Sequence, residues 1–373
     1  MRSIVTIFLG MVLTLLAQDS LRTRLGEDLY AHLNAELRTG FIKSKRSDST
    51  FALGGHIHFD TSFAYGLGAG VSFYGVSDLG LAPNNSNEEF FGSKKRGGLF
   101  VSEAFAAYGY KELRFKGGRF RIDTPHADSD DIRMVPNFFE GVLAEYEGDL
   151  HIILAHLTKM AGWESGGDIY RFKPLYEVAG TQKQNGMTLA GLEYGEYGLW
   201  LYHIDEIANI AYMDASWQWH DIACSFEFDM ANDIGKALAG PIQSRTAGIL
   251  VAYNKDGLFV TAACNKEFGD TGSMWSFGGG PFFTSMEDLT IDALQSSDAL
   301  AYTLGGEYSF DKVSLGVMYG DFTSDLVAAR EVDIYASIQF GQKIRGQILY
   351  ANVDTVKEYE DKDIFRIVLN YSF

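Results

Sequence analysis

The sequence predicts an all-β fold, a single transmembrane antiparallel β-barrel of about eighteen strands, with sixteen the nearest even alternative. Three observations predict it. The amino terminus has the form of an export signal, no later apolar stretch is long enough to cross a bilayer as a helix, and apolar and polar residues alternate in segments of about ten.

The export signal comes first along the chain. Arg2 supplies the positive end, Ile4 to Leu16 an apolar run, and Ala17 a small residue before the polar Gln18-Asp19-Ser20. Leu15 departs from the small residue usual three positions before a cut, and cleavage is placed after Ala17. The expected division is a signal peptide over 1–17 and a barrel domain over 18–373. That apolar run is itself too short to span a membrane, and beyond it none reaches the ~18 residues a helix requires. Inside hydrocarbon only helices and closed sheets satisfy their own backbone N–H and C=O groups, so an exported membrane chain without helices must be a barrel.

Composition agrees. Hydrophobic residues make up 46% and aromatics 14% of the 373 residues, with 41 Gly and only 6 Pro, which suits many short strands joined by turns. A net charge of −18 excludes a nucleic-acid partner, which needs clustered Lys and Arg. No linker or composition shift marks a domain boundary, and no repeat of 20 to 50 residues points to a propeller or solenoid.

Strands are expected near 29–41, 51–60, 65–75, 99–110, 113–121, 138–147, 150–158, 186–194, 198–204, 210–218, 222–229, 245–253, 258–266, 299–309, 313–321, 331–340, 344–354 and 363–373. The first sets Ala31, Leu33, Ala35 and Leu37 against His32, Asn34, Glu36 and Arg38. The sixteenth sets Val332, Ile334, Ile338 and Phe340 against Glu331, Asp333, Tyr335, Ser337 and Gln339. The last sets Phe365, Ile367, Leu369, Tyr371 and Phe373 against Arg366, Asn370 and Ser372. A terminal Phe on the apolar face resembles outer-membrane barrel proteins in general. Connections alternate in length: short at Lys111-Glu112, Tyr194 to Tyr197, Asn254 to Gly257, Asp311-Lys312 and Gly341-Gln342, long at 76–98, 122–137, 159–185, 230–244 and 267–298. Short periplasmic turns and longer external loops have this rhythm.

Between residues 117 and 141 stand Gly118-Arg119, Asp123-Thr124-Pro125, Asp130-Asp131-Ile132-Arg133 and Pro136-Asn137-Phe138-Phe139-Glu140-Gly141. This stretch resembles the OprD family of outer-membrane porins. Gly279-Gly280-Pro281-Phe282-Phe283-Thr284-Ser285-Met286-Glu287-Asp288 is similar to a later external loop of the same family. The resemblance implies an eighteen-stranded monomeric barrel in the outer membrane of a Gram-negative bacterium and passive diffusion of small hydrophilic solutes. It further implies a third external loop folded inward to narrow the pore, and a ladder of basic residues that guides substrate carboxylates such as those of amino acids or organic acids.

Candidate site residues follow. In the third loop, Asp123, Asp128, Asp130 and Asp131 lie beside Arg119, Arg121 and Arg133, a set expected at the pore constriction. The alternative is a solvated loop with internal ion pairs. For the basic wall, Arg38, Lys343, Arg345 and Arg366 fall on lumen-facing positions, and closure of the barrel brings their strands together. The alternative is that these charges merely balance neighbouring carboxylates, as in a general, weakly cation-selective porin. Glu331 and Asp333 would oppose the wall across the pore. His56 and His58 share a strand face, with His56 expected opposite Glu36; lumen hydrogen bonding is favoured over a metal site. Cys224 and Cys264 face lipid with one strand between theirs, too far apart for a disulfide. No cofactor or metal is expected, and the partners are small hydrophilic solutes, ions and outer-membrane lipid, as monomer or homotrimer. No nucleophile motif suggests a barrel hydrolase, and no loop has the mass of a structural surface protein.

Overall fold

The computed structural model describes residues 30–45, 47–62, 66–81, 86–94, 96–357 and 361–373. The expected export segment 1–17 lies outside the described residues. The chain forms a meander of β1 (Tyr30–Ser44), β2 (Ser47–Ser62), β3 (Leu67–Ser77), β4 (Gly97–Tyr110), β5 (Leu113–Phe120), β6 (Phe138–Glu147), β7 (His151–Ala161), β8 (Met187–Tyr194) and β9 (Tyr197–Ile204). It continues through β10 (Ala208–Trp219), β11 (Ile222–Asp233), β12 (Gln243–Lys255), β13 (Leu258–Glu267), β14 (Leu300–Phe310), β15 (Val313–Thr323), β16 (Ala328–Phe340), β17 (Ile344–Lys357) and β18 (Lys362–Ser372). Each strand pairs antiparallel with the next, and β18 returns to β1 in a register from Glu36↔Ser372 to Ser44↔Ile364. The sheet is therefore a closed barrel of eighteen strands, and the two-residue piece Lys173–Pro174 adds only a short extension beside β7. Closure removes every edge, as a sheet in lipid requires.

The expected loop rhythm is present. One end carries tight turns at 111–112, 195–196, 220–221, 256–257 and 311–312, while the long connections 78–96, 121–137, 162–186 and 268–299 rise from the other. Near the tight turns, the exposed Tyr110, Tyr194, Tyr197, Trp217, Trp219, Tyr308, Phe310 and Phe340 form an aromatic girdle of the kind found where a barrel meets the membrane interface. Between the ends the outward face is apolar, with Val142, Leu154, Leu201, Ile249, Leu304, Val317 and Ile334 exposed. Cys224 and Cys264 are free thiols on β11 and β13, separated by β12.

Inside, the barrel is not lined by polar groups throughout. Inward positions on β7 to β10, including Leu157, Leu189, Trp200, Tyr202 and Ile210, are buried with Ile122, Ala127 and Phe277 from two loops. These segments read as apolar on both faces because one face meets lipid and the other meets a loop packed into the lumen. Two smaller apolar clusters form around Phe90, Phe91, Met134 and Phe138, and around Phe282, Leu289, Ile291 and Phe322. At Gly40 of β1 the fit is so close that a Cβ would lie 2.6 Å from the Met134 sulfur and 2.8 Å from the Phe90 ring.

Candidate functional site

Two loops fold into the barrel and meet there. The third loop, 121–137, turns through a miniature hairpin in which Asp123–Thr124 pairs with Ala127–Asp128. Its tip residue, His126, is 1% exposed and reaches the far wall. There His126 Nε2 lies 2.7 Å from Asp229 Oδ2 on β11 and Nδ1 lies 3.1 Å from Ser276 Oγ of the seventh loop, while the Tyr202 hydroxyl accepts from its backbone N–H. The two loops also join backbone to backbone, since Asp128 N–H donates to Phe277 O and Phe277 N–H donates to His126 O. Gly278 sits at φ +87, where a Cβ would fall 2.2 Å from Asp128 O, so only glycine permits this junction.

The seventh loop, 268–299, is pinned by side chains of the wall. Glu227 accepts from the Phe283 N–H, and Asn265 accepts from both the N–H and the hydroxyl of Thr284. Asp333 accepts from Glu287 N–H, while the two oxygens of Glu331 take Asp288 N–H and Leu289 N–H. These five backbone N–H groups, carried out of water, thus each meet a carboxylate or amide acceptor, which is the condition for burying irregular chain inside a barrel.

Arginines complete the assembly. Arg38, 3% exposed, donates from Nη1 to Asp131 Oδ1 at 2.6 Å and to the Arg133 carbonyl at 2.7 Å, from Nη2 to Glu36 at 3.0 Å, and from Nε to Asn370 at 2.8 Å. Arg133 lies over the Trp163 ring and pairs with Glu89 at 2.8 Å and Glu287 at 2.6 Å. Arg366 holds Glu287 through both terminal nitrogens, at 2.6 and 2.9 Å. Glu287 is therefore shared between the third loop, the seventh loop and β18.

The expected site residues take three different positions. Arg38 and Arg366 lie on the lumen face of the closure sector, but both are buried in ion pairs that anchor loops, leaving no open guanidinium face toward water. Arg345 is exposed near the tight-turn end, in one cross-strand row with Asn370 and Arg38, and Lys343 is exposed in the turn before it. Arg121 is partly open, 3.5 Å from Asp131 and over the Phe138 ring. Arg119 requires a correction. It pairs across strands with Ala104 and Glu140, positions that alternate in phase with the exposed Tyr108 and Val142, so it points out of the barrel and not into the constriction. Outside, it donates to Glu140 at 2.9 Å, and Glu140 also pairs with Lys159. Glu331 and Asp333 are likewise corrected: they lie beneath the seventh loop and do not face an open pore. The two-residue alternation that assigned all these groups is sound, but it says nothing of what a loop later covers.

His56 does pair with Glu36. Its ring stacks on Tyr74, whereas His58 bridges Asp60 at 3.1 Å and Glu103 at 3.3 Å. Among the described residues no cluster of three or more metal-ligating side chains occurs. Lys116 was not singled out from the sequence, although its parity on β5 was available; its ammonium lies 4.9 Å from the Phe105 ring centroid.

Three loop carboxyls carry the electrostatic signature of this packing. Burial pushes Glu164 of the fourth loop up to about 7 against the hydrogen bonds it accepts from Asn137 and Gly279. Burial, with Asp123 alongside, pushes Asp128 up to about 7, and burial raises Asp130 to about 6 despite Arg133.

A family model described as outer membrane porin, OprD family, matches residues 101–344. No curated protein sequence matches the chain. Among solved structures, Pseudomonas aeruginosa OpdK with vanillate is similar with a TM-score of 0.80 at 18% identity, covering 92% of this chain and 98% of that one. P. aeruginosa OccK9 (OpdG) gives 0.77 at 15%, and Acinetobacter baumannii OccAB2 gives 0.78 at 12%, each with the same coverage of 92% and 98%.

Proposed function

Because the chain belongs to the OprD family of outer membrane porins, and so is a passive channel of the Gram-negative outer membrane and not an enzyme, we propose that its pore favours small carboxylates. In this reading the basic residues divide their work. Arg38, Arg133 and Arg366 hold the constriction in place, while Arg121, Arg345 and Lys343, with Lys116, present charge to a passing solute. The observation that carries it is Arg121: its side chain is 34% exposed, and among the described residues its one carboxylate contact, Asp131, is at 3.5 Å and is already held by Arg38. A guanidinium left partly open over the Phe138 ring attracts an anion more strongly than one in bulk water, since low-dielectric walls focus its field. OpdK, a similar structure, was solved with vanillate, and an aromatic carboxylate is accordingly the first solute to try.

The test is uptake into proteoliposomes of a small carboxylate against a neutral sugar of similar size. Arg121→Gln with Arg345→Gln should slow the carboxylate more than the sugar and shift the reversal potential toward cations. Equal slowing of both solutes, with unchanged reversal potential, would replace the reading with that of a general, weakly cation-selective porin.

A further inference from the structure

His58 of β2 has both ring nitrogens turned to carboxylates. Its side chain lies on the lumen face, since the flanking Ile57 and Phe59 take the other side of the strand and Phe59 is exposed to lipid. Nε2 is 3.1 Å from Asp60 Oδ2, and Nδ1 is 3.3 Å from Glu103 Oε2 on β4. A neutral imidazole has one N–H and one lone pair, so either tautomer would turn a lone pair toward a carboxylate. The imidazolium, with two N–H groups, suits both contacts. Nδ1 is buried with no hydrogen bond in line, so on that side the charge of Glu103 and not bond geometry favours the proton.

The group stands where ions pass. Directly paired residues run Asn34, His58, Ser72 and Glu103 across β1 to β4, and the Arg38–Gly54 pair lies four residues nearer the external end, about 13 Å away. The trio is therefore on the periplasmic side of the clamp that holds the third loop. Side-chain exposures of 20% for His58, 14% for Glu103 and 38% for Asp60 place it at the wet edge of the wall and not in a dry core. Each neighbouring element can be named. From β1 the ring faces uncharged Asn34, with Glu36 two residues on; β3 gives Ser72, and His56 on β2 itself stacks on Tyr74. On β4 the Phe105 ring lies near-parallel at 6.5 Å, and from β5 the Lys116 ammonium sits over that same ring, while Arg121 is engaged with Asp131. The two nitrogens face different carboxylates, and among the described residues no three ligating side chains converge, so the trio is not a metal site.

We propose that His58 is a resident imidazolium that sets the charge selectivity of the pore. With its proton, Asp60, His58 and Glu103 together carry one net negative charge; when the proton leaves to water they carry two. That second charge stands at the lumen surface, where low-dielectric walls focus its field, drawing cations in and repelling anions. The pore thus becomes more cation-selective as the medium becomes more alkaline.

Reversal potentials of the full-length barrel in planar bilayers, across a KCl gradient at low ionic strength, test this. The wild-type ratio of K⁺ to Cl⁻ permeability should rise about threefold between pH 5 and pH 9. Glu164, Asp128 and Asp130 also gain charge over this interval, so the variants carry the decision. His58→Gln should begin at pH 5 with the higher ratio and lose about half of the rise. His58→Arg, charged throughout, should lose as much of it but stay near the wild-type ratio of pH 5. Heat-modifiable migration establishes that each variant is a closed barrel; should His58→Gln not fold, His58→Arg, which keeps a cation between the two carboxylates, decides. An equal rise in wild type and variants assigns the response to the loop carboxyls and overturns the proposal. So does a wild-type ratio that is flat from pH 5 to pH 9, since His58 would then not change charge. The measurement uses K⁺ and Cl⁻ alone, and its outcome leaves the carboxylate preference of the pore untouched.

Discussion

Arg38 and Arg345 stand in the same cross-strand row two strands apart, yet their surroundings give them opposite tasks. Arg38 is enclosed by Asp131, Glu36, Asn370 and the Arg133 carbonyl, and removing one partner from a buried, hydrogen-bonded charge network costs about 3–5 kcal/mol because the others remain without a counterion. Arg345 is exposed, and its one side-chain hydrogen bond among the described residues is a 3.5 Å contact with Gln339. Arg38→Gln should therefore free the third loop from β1, increasing open-channel noise and mean conductance. Arg345→Gln should alter ion selectivity with no added noise. Single-channel recording of both variants separates the roles, and equal noise in Arg38→Gln and wild type would show that this clamp is dispensable.

At the scale of the element, the third loop acts as a bar across the lumen, tied at its tip to Asp229 and at its base to Arg38. Deleting residues 126–133 removes His126, Asp131 and Arg133 together and should raise conductance and loosen size exclusion, since the bar occupies cross-section that ions would otherwise use. Unchanged conductance in a folded variant would mean the permeation path does not run beside this loop. The same loop junction should respond to pH. Glu164 has an ordinary value of 4.5 and is pushed up to about 7 when buried against Asn137 and Gly279. Below pH ~4.5 the carboxyl is neutral whether or not the loops are docked, so the packing holds in full. As pH rises through about 7 the docked form must bury a charge, and its stability falls. Asp128 and Asp130 act in the same direction. Channel noise should accordingly be lower at pH 5 than at pH 8, and Glu164→Gln should shrink that difference. A difference of equal size in the variant would remove Glu164 from the mechanism.

For the whole molecule, the opposing terms are a net charge of −18 and a small set of open cations beside the pore. Long-range repulsion of anions is screened by salt more readily than attraction at a contact, so the balance should depend on ionic strength. The Debye length falls from ~10 Å at 0.1 M to ~3 Å at 1 M. If open cations set the preference, discrimination between a carboxylate and a neutral sugar should shrink over this range in wild type and be nearly flat in the Arg121→Gln, Arg345→Gln variant. A preference that grows with salt would instead identify the acidic surface as the dominant field.

The sequence by itself determined the barrel class, a strand number of about eighteen with sixteen still open, the alternation of short turns and long loops, the outward cysteines and the pairing of His56 with Glu36; the register of closure fixed eighteen. These follow from two-residue alternation and antiparallel adjacency, both local properties that survive in a linear reading. It also carried the two loop motifs that resemble the OprD family. Only the tertiary structure decided which inward residues meet water. Glu331 and Asp333 have the parity of lumen groups, but the seventh loop covers them and uses them as backbone acceptors. Leu157, Leu189 and Trp200 have the same parity and are apolar because the third loop packs against them. Arg119, near a strand end in a glycine-rich segment, was assigned from its neighbours in sequence when its partners in space, Ala104 and Glu140, place it outside. Alternation gives the side of a wall on which a residue lies; what fills the space on that side depends on contacts between segments as far apart as Asp131 and Arg38, which no local pattern encodes.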